Sequence, residues 1–260
     1  MKCGVQLYTL RDYMEEDFWG TLKKVADIGF KGVEFAGFYG QDIKEIKKFL
    51  DDCGMVCISN HLRVPTERTV DEVCEELSIL GTTDWTANIH GMDTEEGFTN
   101  CFEKCQKGAD LLKERGFRLI LHNHFWEHIS KPFGKPFYEK MLEDIDNLYS
   151  ELDLAWTLAG GYNPLERVKT YNHKIALLHT QDVKASYNEI WDDPNAVFTA
   201  QYSYKQTANG YGDAKVKECI AMSEASWAIV EINQYVGEMW DGVIKSYNYL
   251  TKECNCEGSK

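Results

Sequence analysis

The sequence predicts a single (β/α)8 barrel, and three observations carry that prediction. Short β-branched or apolar runs alternate eight times with longer amphipathic stretches, and the order never breaks. Glycines stand where helices should stop, just ahead of a strand, at Gly29, Gly54 and Gly116. The length of 260 residues suits one such barrel without a second domain.

The first run, near residues 3–8, is followed by a helix near 17–29, in which Leu22, Val25, Ala26 and Ile28 repeat at helical spacing. A strand near 32–36 precedes a helix near 41–53, patterned by Ile43, Ile46, Phe49 and Leu50. The pairs then continue as strand 55–59 with helix 68–80, strand 84–90 with helix 94–115, and strand 117–122 with helix 135–147. Strand 149–154 with helix 163–172, strand 175–180 with helix 213–224, and strand 227–232 with helix 239–252 complete the set. A doubly wound open sheet is the rival, but it usually carries a Gly-rich phosphate turn after its first strand; here that turn reads Tyr8-Thr9-Leu10-Arg11-Asp12. One connection is abnormal. Residues 181–212 place about thirty residues where roughly 2–6 are usual. The segment holds Tyr187, Trp191, Phe198, Tyr202, Tyr204 and Tyr211, and a lid over the active site is preferred to a loop packed on itself.

Composition narrows the function classes. A net charge of −14 with no Lys/Arg cluster repels phosphate backbones and argues against a nucleic-acid partner. The opening Met1 to Tyr8 is too short for a signal peptide, and no run approaches a membrane span. Nine scattered cysteines fit a reducing cytoplasm better than a disulfide framework. Cys101 with Cys105, and Cys254 with Cys256, lack the matching second pair of a structural zinc site.

Barrel enzymes gather their chemistry at the C-terminal ends of the strands. Reading those ends gives Glu34, Asn60-His61, His90, His122-Asn123-His124 with Glu127 just beyond, Asp153, His179 with Asp182 following, and Glu231. Five of the seven histidines fall in this set, more than random placement would give. Singly, each has a bland reading: a hydrogen-bonded rim histidine, a Glu34–Lys31 pair, an Asp153 that caps a turn. Together they converge on one mouth, where buried carboxylates and imidazoles need a cation or each other. Such a mixed donor set with open positions suits Mn²⁺, Zn²⁺, Co²⁺ or Mg²⁺.

The stretches Gln6 to Asp12 and Thr21 to Phe35, then His122-Asn123-His124-Phe125-Trp126-Glu127, Glu151-Leu152-Asp153, Leu178-His179-Thr180-Gln181-Asp182 and Val230-Glu231, resemble in order the sugar phosphate isomerase/epimerase group of the xylose isomerase-like barrels. The resemblance runs from about residue 3 to 250. It implies one divalent ion on Asp153, His179 and Glu231, with a fourth ligand from the end of strand five. Many relatives have Glu there and this chain has His122, so Glu127 is the preferred fourth ligand and His122 the alternative. Proton transfer then falls to His122, His124 or Glu127, with Glu34, His61, His90, Asp182 and Trp191 on the substrate. The implied activity is isomerisation or epimerisation of a ketose or keto-sugar through an enediolate. A lyase, dehydratase or deglycosidase working on a 3-keto sugar is the runner-up, and a non-catalytic sugar-binding barrel comes from another class. An endonuclease on the same barrel is disfavoured by the charge. Relatives commonly carry Gly-acid-Gly before helix seven, and Gly210-Tyr211-Gly212-Asp213 departs from it. Neither a Gly-rich nor an Arg-rich phosphate cradle is visible. Barrels of this kind often pair, which leaves a homo-oligomer open, and nothing in the sequence localises an interface.

Overall fold

The computed structural model describes residues 1–90, 92, 94–184 and 205–259. Eight parallel strands close a ring in chain order: β1 (Lys2–Gln6), β2 (Gly32–Phe35), β3 (Val56–Arg63), β4 (Asp84–Asn88), β5 (Arg118–His122), β6 (Leu148–Asp153), β7 (Ile175–His179) and β10 (Trp227–Val230), the last returning to β1. The expected helices surround it: α2 (Phe18–Ile28), α3 (Ile43–Asp52), α4 (Val70–Leu80), α5 (Glu95–Glu114), α7 (Phe137–Asp144), α9 (Pro164–Tyr171), α10 (Val216–Met222) and α11 (Met239–Lys252). The alternation seen in the sequence is therefore a closed (β/α)8 barrel.

Two hydrophobic layers hold it. The larger lies between strands and helices, where Leu22, Val25, Ile46, Leu50 and Leu77 are buried against strand residues such as Val33 and Leu121. The smaller is the barrel interior, with Ile58, Ile120, Leu177 and Ile229 packed as a separate group from four strands. Room for that layer comes from Gly4 and Gly32. A Cβ on Gly4 would stand 2.4 Å from Ile58 Cδ1, and one on Gly32 would stand 2.9 Å from both Ile58 and Trp227. Gly29 ends α2 in the left-handed region at φ +118°, which costs glycine little.

The structure differs from the sequence reading at the strand exits. β1 stops at Gln6, because the Gln6 side chain accepts from the Tyr8 N–H and turns the chain into a 3₁₀ segment over Leu7–Leu10. Three short helices follow strands or turns directly: α1 (Arg11–Glu16), α6 (Trp126–Ile129) and α8 (Leu154–Ala159). β4 ends at Asn88, two residues before His90, while β3 continues to Arg63 and so contains His61. Of the expected lid, residues 185–204 with Trp191 lie outside the described residues. Its ends pair as an antiparallel ribbon, β8 (Asp182–Lys184) with β9 (Lys205–Thr207). Among the described residues no helix is long and apolar enough to cross a membrane.

Candidate metal centre and active site

Side chains at the C-terminal ends of β2, β3, β5, β6, β7 and β10 meet around His179. Its Nδ1 lies 3.0 Å from Glu231 Oε2 and 4.0 Å from Asp153 Oδ2. Its Nε2 lies 2.9 Å from Glu34 Oε2 and 3.1 Å from Glu151 Oε1. Ligand atoms of His122, Asp153, His179 and Glu231 all fall within 4.8 Å of one another, and all four residues are buried. The geometry thus brings His122 to Asp153, His179 and Glu231.

Glu127, the residue preferred from sequence for that fourth position, stands apart from the group. It is fully buried in α6, where its Oε2 accepts from the His124 N–H at 2.8 Å and its Oε1 lies 3.8 Å from His124 Nδ1. Five residues past the strand, Glu127 folds back onto the strand-end loop and not into the barrel axis.

The donor set fits a divalent cation. Asp153 Oδ1 caps α8 by accepting from the Trp156 N–H at 2.6 Å, which leaves Oδ2 without a hydrogen-bond partner although it is buried. Burial, and then the negative charge of Glu231, push the Asp153 carboxyl well above the usual range. Burial likewise raises Glu151, to about 8, with the Glu34 charge adding to it. Burial opposes a charge on His179, but Glu151, Glu34 and Glu231 outweigh it and raise the imidazole. Burial and the neighbouring His179, His124 and His61 instead push His122 well below an ordinary histidine, leaving its ring neutral, the form that ligates metal. Four carboxylates gathered on one imidazole exceed what a single imidazolium charge can offset, and a dication would supply the rest.

Above this floor opens a cavity of about 380 Å³. His61, His122, His124 and Glu231 line it together with Trp156, Arg11 and the amides Gln6, Asn88, Gln206, Asn233 and Gln234. The His124 ring stacks on Trp126, with centroids 4.0 Å apart and planes 15° apart.

The other residues singled out from sequence are placed as follows. Glu34 is wholly buried beneath the cavity and engaged by His179 and His61. His61 reaches the cavity, with Nε2 2.8 Å from Asn88 Oδ1. His90 is exposed and outside the cavity lining, because β4 has already ended and Asn88 takes the inward place. Asp182 turns away from the mouth. Its carboxylate accepts the N–H groups of Val183, Gly210, Gly212 and Ala214 at 2.9–3.1 Å. Gly210-Tyr211-Gly212 thereby receives a carboxylate of the protein.

Sequence reading passed over Glu151 and the amides. Glu151 lies two residues before Asp153 on the same strand, and the two-residue strand period places both on one face. Gln6 and Asn88 are the last residues of β1 and β4, so exact strand ends would have named them.

The closed barrel is similar in fold to solved structures described as sugar phosphate isomerase/epimerase or xylose isomerase domain proteins, which superpose on nearly the whole chain. A sugar phosphate isomerase/epimerase from Parabacteroides distasonis matches with a TM-score of 0.68 at 20% identity, covering 96% of this chain and 93% of that one. The IOLI protein, solved with a bound zinc atom, matches with a TM-score of 0.70 at 12% identity, over 98% of each chain. In sequence, the chain is 23% identical over 278 aligned positions to an inosose dehydratase of Clostridium perfringens, covering 93% of this chain and 91% of that protein. No protein-family model matches the chain.

Proposed function

We propose that this protein is a divalent-metal-dependent enzyme acting on a ketose, keto-sugar or keto-polyol, moving the proton on the carbon beside the carbonyl so that the substrate isomerises or epimerises. The observation that carries the reading is the convergence of His122, Asp153, His179 and Glu231 at the floor of a cavity walled by amides. A bound cation of the Mn²⁺, Co²⁺, Zn²⁺ or Mg²⁺ class would act as a Lewis acid, polarising the carbonyl.

The remaining work falls to the chain's own side chains. Each amide of Gln6, Asn88, Gln206, Asn233 and Gln234 offers both donors and an acceptor, the pattern that matches sugar hydroxyls. The volume suits a small ligand. Trp156 presents an apolar wall to a sugar face. His124 is the proton carrier: it lines the cavity, its ring is fixed by the Trp126 stack, and the Glu127 carboxylate lies beside its Nδ1. Arg11 is held at the rim by the Tyr8 and Asn233 carbonyls, a single guanidinium and not a phosphate cradle. An unphosphorylated substrate is therefore favoured.

A second reading, dehydration, is favoured by the similarity to inosose dehydratase along almost the full chain. The first step is shared. His124 takes the proton beside the carbonyl, the electron pair of that C–H bond forms a carbon–carbon double bond, and the β-hydroxyl leaves with a proton as water. The test is incubation of the Mn²⁺-loaded protein with ketoses, 3-keto glycosides and keto-inositols in D₂O. Deuterium should enter the carbon beside the carbonyl, and His124→Ala should slow this by about 10²–10⁴-fold. A rearranged sugar supports the first reading, and a product short of one water, an unsaturated ketone or the 1,2-diketone to which its enol tautomerises, supports the second. A loaded protein that neither exchanges a proton nor converts any of these substrates contradicts both.

A further inference from the structure

Beside the ligand set just assigned lies a second group of donors, which shares only His122 with it. His61 Nε2 stands 2.8 Å from Asn88 Oδ1, so its N–H donates to the amide oxygen and Nδ1 points the other way. There Nδ1 meets Glu34 Oε1 at 3.2 Å and Glu151 Oε2 at 3.9 Å. Glu151 Oε2 is in turn 3.5 Å from His122 Nδ1. Glu34 Oε1, Glu151 Oε2 and His122 Nδ1 are all buried without a hydrogen-bond partner. A bare imidazole nitrogen facing two carboxylates is repulsive unless something positive stands between them.

The spacing suits a metal ion. With bonds of about 2.1 Å, the ligand atoms of a tetrahedral site stand about 3.4 Å apart. The pairs above bracket that figure at 3.2, 3.5 and 3.9 Å. Ligand atoms of His61, His122 and Glu151 also fall together within 4.8 Å. Charge gives an independent argument. Glu34, Glu151, Asp153 and Glu231 are four buried carboxylates, and one dication offsets only two of them.

We propose that His61 Nδ1, His122 Nδ1 and Glu151 Oε2 bind a second divalent cation, with the Glu34 carboxylate beside it. The first ion keeps Asp153, His179 and Glu231, three protein ligands with the remaining position open to substrate, as is usual for a catalytic site. Two dications then balance the four carboxylates while every histidine stays neutral. The rival arrangement is a proton shared among His61, Glu34 and Glu151 in the same space.

Metal counting separates the two. The intact chain, stripped with chelator and then saturated with Co²⁺ or Zn²⁺, should hold two ions per chain after desalting. Glu151→Gln should hold one. His61→Ala, which removes no carboxylate, should also hold one and covers the case in which Glu151→Gln fails to fold. In the Mn²⁺-loaded wild type, the two ions should show spin coupling that both variants lose. Saturation at a single ion that Asp153→Ala abolishes would overturn the second site and leave the proposed function standing. Two ions retained in folded His61→Ala would also overturn it. A wild type that binds none would overturn both readings.

Discussion

Asp153 owes its aim to residues behind it. Its backbone N–H donates to Asn123 Oδ1 at 3.0 Å, and its carbonyl accepts from Thr157 Oγ1 at 2.7 Å. Asn123 Nδ2 and Thr157 Oγ1 each lie 3.1 Å from His128 Nε2, and all three residues are fully buried. Gly160 completes the fit, since a Cβ there would stand 2.7 Å from His128 Cβ. Asn123→Ala would strand the Asp153 N–H and leave His128 Nε2 with Thr157 Oγ1 alone, costing about 2 kcal/mol of stability. Metal affinity should fall about 10–100-fold, as expected when a group supporting a ligand is lost. Urea unfolding and a metal titration on the same variant check this, and an unchanged affinity would mean that Asn123 supports the fold but not the site. The histidines of the strand ends were legible because barrel topology says where to look. His128 was not, because it sits on the short helix α6, whose four residues are too few to show a period.

At the scale of elements, one carboxylate ties the ribbon β8–β9 to the turn that follows it. Asp182 takes four backbone N–H groups, and a Cβ on Gly212 would stand 2.2 Å from its Oδ1. Only glycine lets the backbone approach so closely. Asp182→Ala should therefore cost about 3 kcal/mol, from charge-assisted bonds lost at buried groups, and should speed proteolysis between residues 181 and 212. Limited proteolysis beside thermal unfolding checks it. Unchanged cleavage would show that the strand pairing and the bonds from the Asn233 and Gln234 N–H groups to Gln206 hold the ribbon without Asp182. The sequence made Asp182 a substrate residue because it follows a strand end, yet proximity to the mouth does not fix the direction of a side chain. Long helices and buried strands were legible from periodicity and glycine stops. The exits were not, because side-chain caps by Gln6 and Asp153 redirect the chain within a residue or two of each strand.

For the whole molecule, closure of the ring is what turns separate strand ends into a site. Glu34 and His179 are 145 residues apart in the chain and 2.9 Å apart in space. No local motif encodes such a contact, so the resemblance pointed to Asp153, His179 and Glu231 but preferred Glu127 to His122, the residue that the barrel brings beside them. Glu127 offered the better charge balance to a single ion, while the barrel's curvature decides which residue reaches the axis. The same closure buries four carboxylates around one imidazole, an arrangement suited to hold a divalent ion. The most direct test is titration of the chelator-stripped protein with Mn²⁺, with Asp153→Ala and Glu231→Ala measured alongside. Each variant should remain folded and bind one ion fewer than the wild type. A wild type that binds no divalent ion, or variants that bind as many ions as the wild type, would contradict the account.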